Sequence, residues 1–259
     1  MRNLAYLAVA ALAAALSAAP AVAADLPEDP YLPPVDYDIG GSFYLRGSAA
    51  LNLHWAREIR HVPEWTGQIV NPIDRLGYGY SWGAGFGYET GDGLRFDVTI
   101  DTLETAGLRV TKPDVVGPDV PGEHTLLLRS TLALANVYYD FSFGDLGGFG
   151  GYGGEGGMFG YVGAGAGLAW NTTKVNFSPT DPTSTFDVPP GTNISAAAAL
   201  MAGVGYDMGT WVADVGYRGI YINQINNSPT NPATNPGKFF MIDHNFIHEL
   251  RGTVRYRFN

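Results

Sequence analysis

The chain has no cysteine and, beyond its first two dozen residues, no apolar run of the length that a membrane-spanning helix needs. Without cysteine, neither a disulfide framework nor a cysteine-based zinc site can form. Charged residues are scarce at 15% of the sequence, against about 25% in ordinary globular proteins. Glycine is abundant, with 35 residues, and aromatic residues make up 13%. This composition favours strands in a membrane over the core of a soluble enzyme.

The N-terminus has the pattern of a secretory signal peptide. Arg2 precedes a run of small apolar residues, and Ala21 and Ala23 fit the small-x-small rule for cleavage. The alternative is a membrane anchor of about 20 residues. Ser17 and Pro20 interrupt the run and no basic flank follows it, so we predict that residues 1–23 are cleaved after export.

A short acidic and proline-rich segment follows the predicted cleavage site. We interpret residues 24–41 as an extended periplasmic linker. The formal net charge of the chain is −10, and almost half of it lies in this segment. The charge therefore says little about partners, and no basic cluster indicates binding to nucleic acid.

The end of the chain alternates strictly between apolar and charged residues. From position 248 the sequence is H-E-L-R-G-T-V-R-Y-R-F-N, with Leu250, Val254 and Phe258 on one face and Arg251 and Arg255 on the other. An apolar face that ends in aromatic residues, opposite a charged face, is typical of a transmembrane barrel strand.

Seven further segments show comparable alternation and are separated by long and short connections in turn. The predicted strands are 42–53, 78–89, 94–101, 125–143, 159–170, 194–207, 211–222 and 248–259. The long loops are 56–76, 104–124, 171–193 and 223–243, and the turns are 90–93, 145–157 and 208–210. We therefore predict an all-β fold over residues 42–259, an eight-stranded antiparallel transmembrane (outer-membrane) β-barrel with meander topology. A secreted β-sandwich is the alternative, but the inward positions repeatedly carry Arg, Asp and Glu.

The segment 125–143 has the least certain register. Placing Arg129 inward turns four leucines toward lipid and Asn136 outward, which requires a β-bulge near Ala135. Tyr138, Tyr139 and Phe141 would then mark the membrane interface. The four leucines are Leu126, Leu128, Leu132 and Leu134.

The inward charges are expected to form a structural network, because charges removed from water need partners. We predict Arg218 beside Glu249, Asp214 beside Arg251, and Arg129 between Asp97 and Asp101. A proton or metal site is the sharper alternative. The predicted members of the network are Arg46, Asp97, Asp101, Arg129, Asp214, Arg218, Glu249, Arg251 and Arg255.

No residue is predicted to be catalytic, to bind a cofactor or to bind a metal. The segment 151–156 fits G-x-G-x-x-G by letter, but it has no buried parallel strand before it and no helix after it. His54, His124 and His244 lie near the rim where some small barrels carry a lipid A-modifying site. No histidine is followed by x-Ser, the deacylase-like pattern, although a palmitoyltransferase-like site from distant residues stays open.

Five motifs together resemble a known family. They are A-D-L-P after the predicted cleavage site, G-G-S-F-Y-L-R-G from Gly40, G-Y-V-G-A-G-A-G-L-A from Gly160, D-V-G-Y-R from Asp214, and the terminal H-E-L-R-G-T-V-R-Y-R-F. They are similar to the small opacity-protein and OmpA-like outer-membrane barrels of alphaproteobacteria, often labelled a porin family. The resemblance covers the whole mature chain and implies a Gram-negative outer-membrane protein.

From these observations we expect a monomeric barrel without catalytic function, whose roles are envelope integrity and presentation of four surface loops. Its partners would be outer-membrane lipid and lipopolysaccharide, together with the barrel assembly machinery, which would read the last strand. Eight strands enclose a lumen that side chains can fill, so no wide pore is expected. A narrow channel and a lipid A-modifying enzyme are the alternatives.

Overall fold

The computed structural model describes residues 41–62, 69–112, 122–142, 157–181, 190–227 and 239–258. The predicted leader, nearly all of the predicted linker and the G-x-G-x-x-G segment lie outside these ranges. In the described ranges no helix has the length and apolarity needed to cross a membrane.

Within these ranges ten strands form one antiparallel sheet, in the order β1-β4-β5-β6-β7-β8-β9-β10-β2-β3, and β1 also pairs with β10. The eight strands from β1 and β4 to β10 thereby close into a ring, which confirms the predicted antiparallel meander. The strands are β1 Ser42–Trp55, β2 Glu58–Val62, β3 Ile69–Pro72, β4 Gly77–Glu89, β5 Leu94–Lys112, β6 Gly122–Ser142, β7 Gly157–Pro179, β8 Gly191–Asp207, β9 Trp211–Asn226 and β10 Phe239–Phe258.

The ring closes where the first strand meets the last. The β1–β10 register runs without a shift from Phe43 opposite Phe258 to Trp55 opposite Phe246. Because side chains alternate along a strand, this seam has an apolar outside and a polar inside. Leu51 is 70% exposed, whereas the adjacent Asn52 is 3% exposed.

The barrel has a turn end and a long-loop end. At the turn end Gly91 and Gly93 adopt φ of 83° and 102°, the left-handed conformation that a tight hairpin turn requires. The Thr90 hydroxyl and the Leu94 backbone N–H both donate to the Asp92 carboxylate. These two hydrogen bonds stabilise the charged form and lower the pKa of Asp92.

Several strands are longer than predicted and extend into the predicted long loops. β10, for example, begins at Phe239, inside the predicted loop 223–243. The predicted loop 56–76 contains the hairpin β2–β3, and Arg60 of β2 pairs with Met241 of β10. An ion pair between Arg60 and Asp243 supports this contact. β1 stops pairing with β10 after Trp55, and β2 of the hairpin pairs with the next part of the same β10 edge. This pairing satisfies backbone groups that an unpaired edge would expose.

The predicted register of β6 is wrong. The four leucines of this strand lie inside the barrel, at exposures between 0% and 6%, and Asn136 and Tyr138 also lie inside. Arg129 lies outside, and the predicted bulge near Ala135 is absent from the continuous β6 pairings. The irregularity lies instead in β5 at Gly107, which has a φ of 88°.

Two apolar clusters occupy the lumen, a larger one that reaches from Phe159 near the turn end to Ile225, and a smaller one at the long-loop end. The larger includes Leu103, Leu132, Ile220 and Ile247. The smaller cluster lies between the outer parts of the strands and the β2–β3 hairpin, and comprises Ala56, Ile59, Leu108, Val110, Leu126 and Ile242, with Ile73 and Val175 packed against it. The buried ion pairs lie in the part of the lumen nearer the turn end, beside the aromatic members of the larger cluster.

Candidate functional site in the barrel lumen

Asp101 of β5 is the centre of one group of buried charges, the central cluster of Asp101, Arg218, Arg251 and Glu249. Its two carboxylate oxygens accept hydrogen bonds from Arg218 Nη1 and Arg251 Nη2, each at 2.7 Å. Arg218 Nε also donates to Glu249 at 2.6 Å, and the Ser81 hydroxyl donates to the same carboxylate at 2.6 Å. The cluster thus links strands β4, β5, β9 and β10 through charge-assisted hydrogen bonds.

Asp97, two inward positions nearer the turn end of β5, is the centre of a second group. Arg46 Nη1 donates to its carboxylate at 2.7 Å, Asn136 Nδ2 at 2.7 Å and the Tyr44 hydroxyl at 3.0 Å. Arg46 Nη1 also donates to the Tyr138 hydroxyl at 2.7 Å. The carboxylate is satisfied by three donors from β1 and β6.

Arg95 and Asp140 form a third group. Arg95 donates to both carboxylate oxygens of Asp140 in a fork, from Nε at 3.0 Å and from Nη2 at 2.9 Å. The guanidinium also lies 4.1 Å from the centre of the Tyr138 ring, within the range of a cation–π contact. Arg255 lies between three acids, at 3.3 Å from Glu89, 3.8 Å from Asp140 and 3.9 Å from Asp214.

Eight of the nine residues predicted for the charge network have side chains inside the barrel, and Arg129 does not. The eight are Arg46, Asp97, Asp101, Asp214, Arg218, Glu249, Arg251 and Arg255. Arg129 was expected between Asp97 and Asp101, but its side chain is 69% exposed and pairs with Glu104.

The predicted contact between Asp214 and Arg251 is wrong. In the β9–β10 register Asp214 lies opposite Thr253, so Arg251 and Arg255 are its two diagonal neighbours. Arg251 is held by Asp101, and the Asp214 carboxylate instead accepts from the Tyr161 hydroxyl at 3.2 Å and lies near Arg255.

Arg95 and Asp140 are members of the network that the sequence prediction missed. Arg95 has the same parity as Asp97 and Asp101, so the alternation of β5 already indicated it. Asp140 was missed because the register predicted for β6 was wrong. The sequence did contain an indication of the correct register. Asn136 and Asp140, two polar residues, lie on one face of β6, and Arg129 lies on the opposite face.

Inward glycines make room for these side chains. A Cβ at Gly83 would collide with the Asp101 carboxylate, and one at Gly165 would collide with the Asn136 amide. A Cβ at Gly85 would lie 3.1 Å from Cγ of Arg46. The glycine-lined faces of β4 and β7 therefore accommodate bulky polar residues from β1, β5 and β6, rather than a ligand.

Little space is left between the guanidinium groups. A cavity of about 10 Å³ lies among Arg46, Arg95, Arg218 and Arg251, room for about one water molecule. Arg46 Nε and Arg218 Nη2 are buried and have no hydrogen-bond partner among the described residues, so a water there would satisfy donors that otherwise carry a desolvation cost. Within the described ranges no group of three His, Asp or Glu residues is placed to hold a metal ion.

The histidines near the rim contact side chains that carry no charge, an asparagine amide and two tyrosine hydroxyls. His54 is fully buried, and its Nε2 lies 3.0 Å from Asn245 Oδ1. On the outside, His248 Nδ1 lies 2.6 Å from the Tyr217 hydroxyl, and His244 Nδ1 lies 2.7 Å from the Tyr221 hydroxyl. None of these contacts joins a histidine to an acid and a hydroxyl nucleophile together, as acyl transfer would need.

On the outside, Arg129 belongs to a small polar group with Glu104 and Tyr80. Arg129 Nε donates to Glu104 Oε1 at 2.8 Å, and the Tyr80 hydroxyl donates to Glu104 Oε2 at 2.9 Å. The three residues are register partners across β4, β5 and β6. The carboxylate therefore orients the arginine along the outer face of the sheet.

No family model and no curated protein matches this chain. Solved structures with a similar outline include Neisserial surface protein A, with 20% identity, a TM-score of 0.43, and coverage of 85% of this chain and 99% of that one. AlkL in lipid bilayers has 16% identity, a TM-score of 0.42, and coverage of 92% and 97%. Ail, the attachment invasion locus protein of Yersinia pestis, has 14% identity, a TM-score of 0.32, and coverage of 85% and 99%. The eight-stranded ring described above rests on the strand pairings of this chain itself.

Proposed function

We propose that this chain is an outer-membrane β-barrel with a filled lumen, which contributes to envelope integrity and presents its four long loops at the cell surface. The single observation that carries the proposal is the pairing of an apolar outer belt with a lumen crossed by buried ion pairs. A soluble protein would have the opposite distribution, with its charges outside and its apolar side chains inside.

The outer belt has the dimensions of a membrane. Phe43 and Phe258 lie at the turn end of the seam, and Trp55 and Phe246 lie at its long-loop end, with all four aromatic rings exposed. The thirteen residues from Phe43 to Trp55 span about 30 Å along the barrel axis for a tilt near 40°. Aromatic residues at both edges of an apolar band of about this height are the pattern of membrane-embedded barrels.

The packing of the described strands supports a lumen that is closed to solutes. The side chains of Arg95, Arg218 and Arg255 are at most 2% exposed, although they lie in the middle of the ring. Toward the long-loop end the apolar cluster around Ile59 and Leu108 lies across the outer mouth. An eight-stranded barrel has an interior just wide enough for side chains to fill, so the role of the charge network is structural.

A catalytic role has no support in this geometry. The buried charges pair with one another, and a lipid substrate would have to reach them through a lumen that is already filled. The proposal is therefore a structural and loop-presenting protein rather than a lipid A-modifying enzyme. Incubation of the folded barrel with lipid A, followed by mass spectrometry of the lipid, is expected to leave the acyl chains unchanged.

Planar-bilayer recording tests the filled lumen. The folded protein is inserted into a bilayer beside a general porin as the positive control, and folding is verified by the shift in gel mobility on heating. We expect no conductance, or only small intermittent steps. Stable openings as large as those of the general porin would refute the proposal, because the ion pairs could not then cross the lumen.

A further inference from the structure

The outer wall formed by β5, β6 and β7 carries exposed cations just beyond the edge of the apolar belt. On β7, Trp170 is an exposed aromatic residue at the long-loop edge of that belt. Arg129 lies opposite Thr172, two residues further out, and Lys174 lies two residues beyond Thr172. Their Cα positions are therefore about 5 Å and 10 Å above Trp170 along the barrel axis.

Arg129 and Lys174 are close enough to hold one anion between them. Lys174 lies opposite Leu127, so the two cations are diagonal neighbours on the same face, with a separation of about 7–8 Å between their backbones. Long side chains reach across that distance. Arg129 uses only Nε and Nη2 to bind Glu104, which leaves Nη1 for another acceptor. Lys174 is exposed, and no ion pair to it occurs within the described strands.

We propose that Arg129 and Lys174 bind a phosphate group of a phosphorylated glycolipid in the outer leaflet of the membrane. The inference rests on the proposed function, because it requires the belt to lie in a bilayer with the long loops outside. Guanidinium and ammonium groups are the usual protein ligands of phosphate, and these two lie at the depth of lipid headgroups.

A glycolipid fits the spacing better than a simple phospholipid, whose phosphate occupies a single depth. Arg109 is a third cation on the same wall, paired with Glu123, and it lies opposite Thr125, four residues further out than Arg129. The cations are therefore spread over about 10 Å beyond Arg129. A headgroup of sugars and phosphates extends through that range. Glu104 and Glu123 are already engaged by the arginines, which reduces their repulsion of an anion.

The test compares Arg129→Gln/Lys174→Gln with Arg57→Gln. Arg57 is also exposed, two residues beyond the belt residue Trp55, and it is the matched control because it lies on another part of the wall. Full-length protein is folded into phosphatidylcholine vesicles that contain bisphosphorylated lipid A, dephosphorylated lipid A or phosphatidylglycerol. Native mass spectrometry after mild detergent extraction then measures the lipid that each variant retains.

We expect the wild type and Arg57→Gln to retain bisphosphorylated lipid A in preference to the other two lipids. The double variant is expected to retain it on the order of 10- to 30-fold more weakly, since each cation near a lipid surface contributes about a factor of five. Arg129→Lys/Lys174→Arg keeps both charges and is expected to retain most of the binding. Equal retention by the double variant, or equal retention of phosphatidylglycerol, would overturn the inference.

Failure of this inference and failure of the proposed function give different results. If the wild type does not insert into phosphatidylcholine vesicles at all, the membrane barrel itself is refuted. If it inserts but retains the three lipids equally, only the glycolipid site is refuted. The double variant is expected to fold, because both replaced side chains lie outside the barrel, and the heat-shift gel checks this before binding is compared.

Discussion

Replacing Asp101 with Asn is the most direct test of the charge network. The substitution keeps the size of the side chain, so it removes the charge without opening a cavity. Asp101 is 1% exposed and holds Arg218 and Arg251 at 2.7 Å each. Removing one partner of a buried ion pair costs about 3–5 kcal/mol, because the other charge stays buried without compensation.

The structure favours the lower end of that range. Arg218 keeps Glu249 at 2.6 Å, so the loss falls mainly on Arg251, whose remaining hydrogen bond in the described strands is to Ser48. We therefore expect a loss of about 3 kcal/mol in the free energy of unfolding, more than a hundredfold in the equilibrium constant.

Urea titration of the protein in bilayers, followed by the fluorescence of its 5 tryptophans, measures this loss. Glu104→Gln is the matched control, because it removes an acid from an ion pair on the outside of the same strand, where water and lipid headgroups screen the charge. A loss for Asp101→Asn no larger than that of Glu104→Gln would refute the reasoning. The buried network would then contribute little to stability.

Three further predictions concern the outer face, the β6 register and the short turn. Val254→Arg is expected to destabilise the barrel by about 2 kcal/mol in the same titration, because it places a charge in the apolar belt near its midplane; an unchanged midpoint would show that this face does not contact lipid. Leu132→Ala is expected to lower the free energy of unfolding by about 2–5 kcal/mol, and clearly more than Leu168→Ala on the outer face, because Leu132 is fully buried. A larger loss for Leu168→Ala would support the register predicted from sequence, in which Leu132 faces lipid. NMR titration is expected to give the Asp92 carboxyl a lower pKa in the folded protein than in the unfolded chain. The ionised carboxylate then stabilises the folded state at a pH above its unfolded pKa, and this stabilisation is lost as the pH falls through its folded pKa. Thr90→Val should reduce this shift.

The period-two alternation was enough to predict the ring of eight strands. It works because each strand of the belt has one face in an apolar surrounding and the other in a polar lumen, as at Leu51 and Asn52 of β1. The rule weakens beyond the belt. There the outside is polar and the inside is apolar, as at Arg109 beside Leu108, so strand ends that extend past the belt resembled loops in the sequence.

The same inversion explains the error in β6. Four of the five leucines of this strand line the apolar part of the lumen, and Arg129 lies outside just past the belt, so a rule that places charge inside gives the wrong parity. The choice of partner within the lumen also could not be predicted. Asp214 has two arginines as diagonal neighbours, and which one it approaches depends on Asp101, a residue far away in sequence that already holds the other.

The β1–β10 seam makes the stability of the barrel depend on β10, the strand that closes the ring onto β1. Arg46 and Thr253, 207 residues apart, are hydrogen-bonded across it, and Arg251 reaches Ser48 and Asp101 from the same strand. Until β10 docks, Asp101 and Ser81 lack partners that only this strand supplies. Burial of the ion pairs around Asp101 is therefore coupled to closure of the ring, because the same strand supplies both Arg251 and the backbone partners of β1.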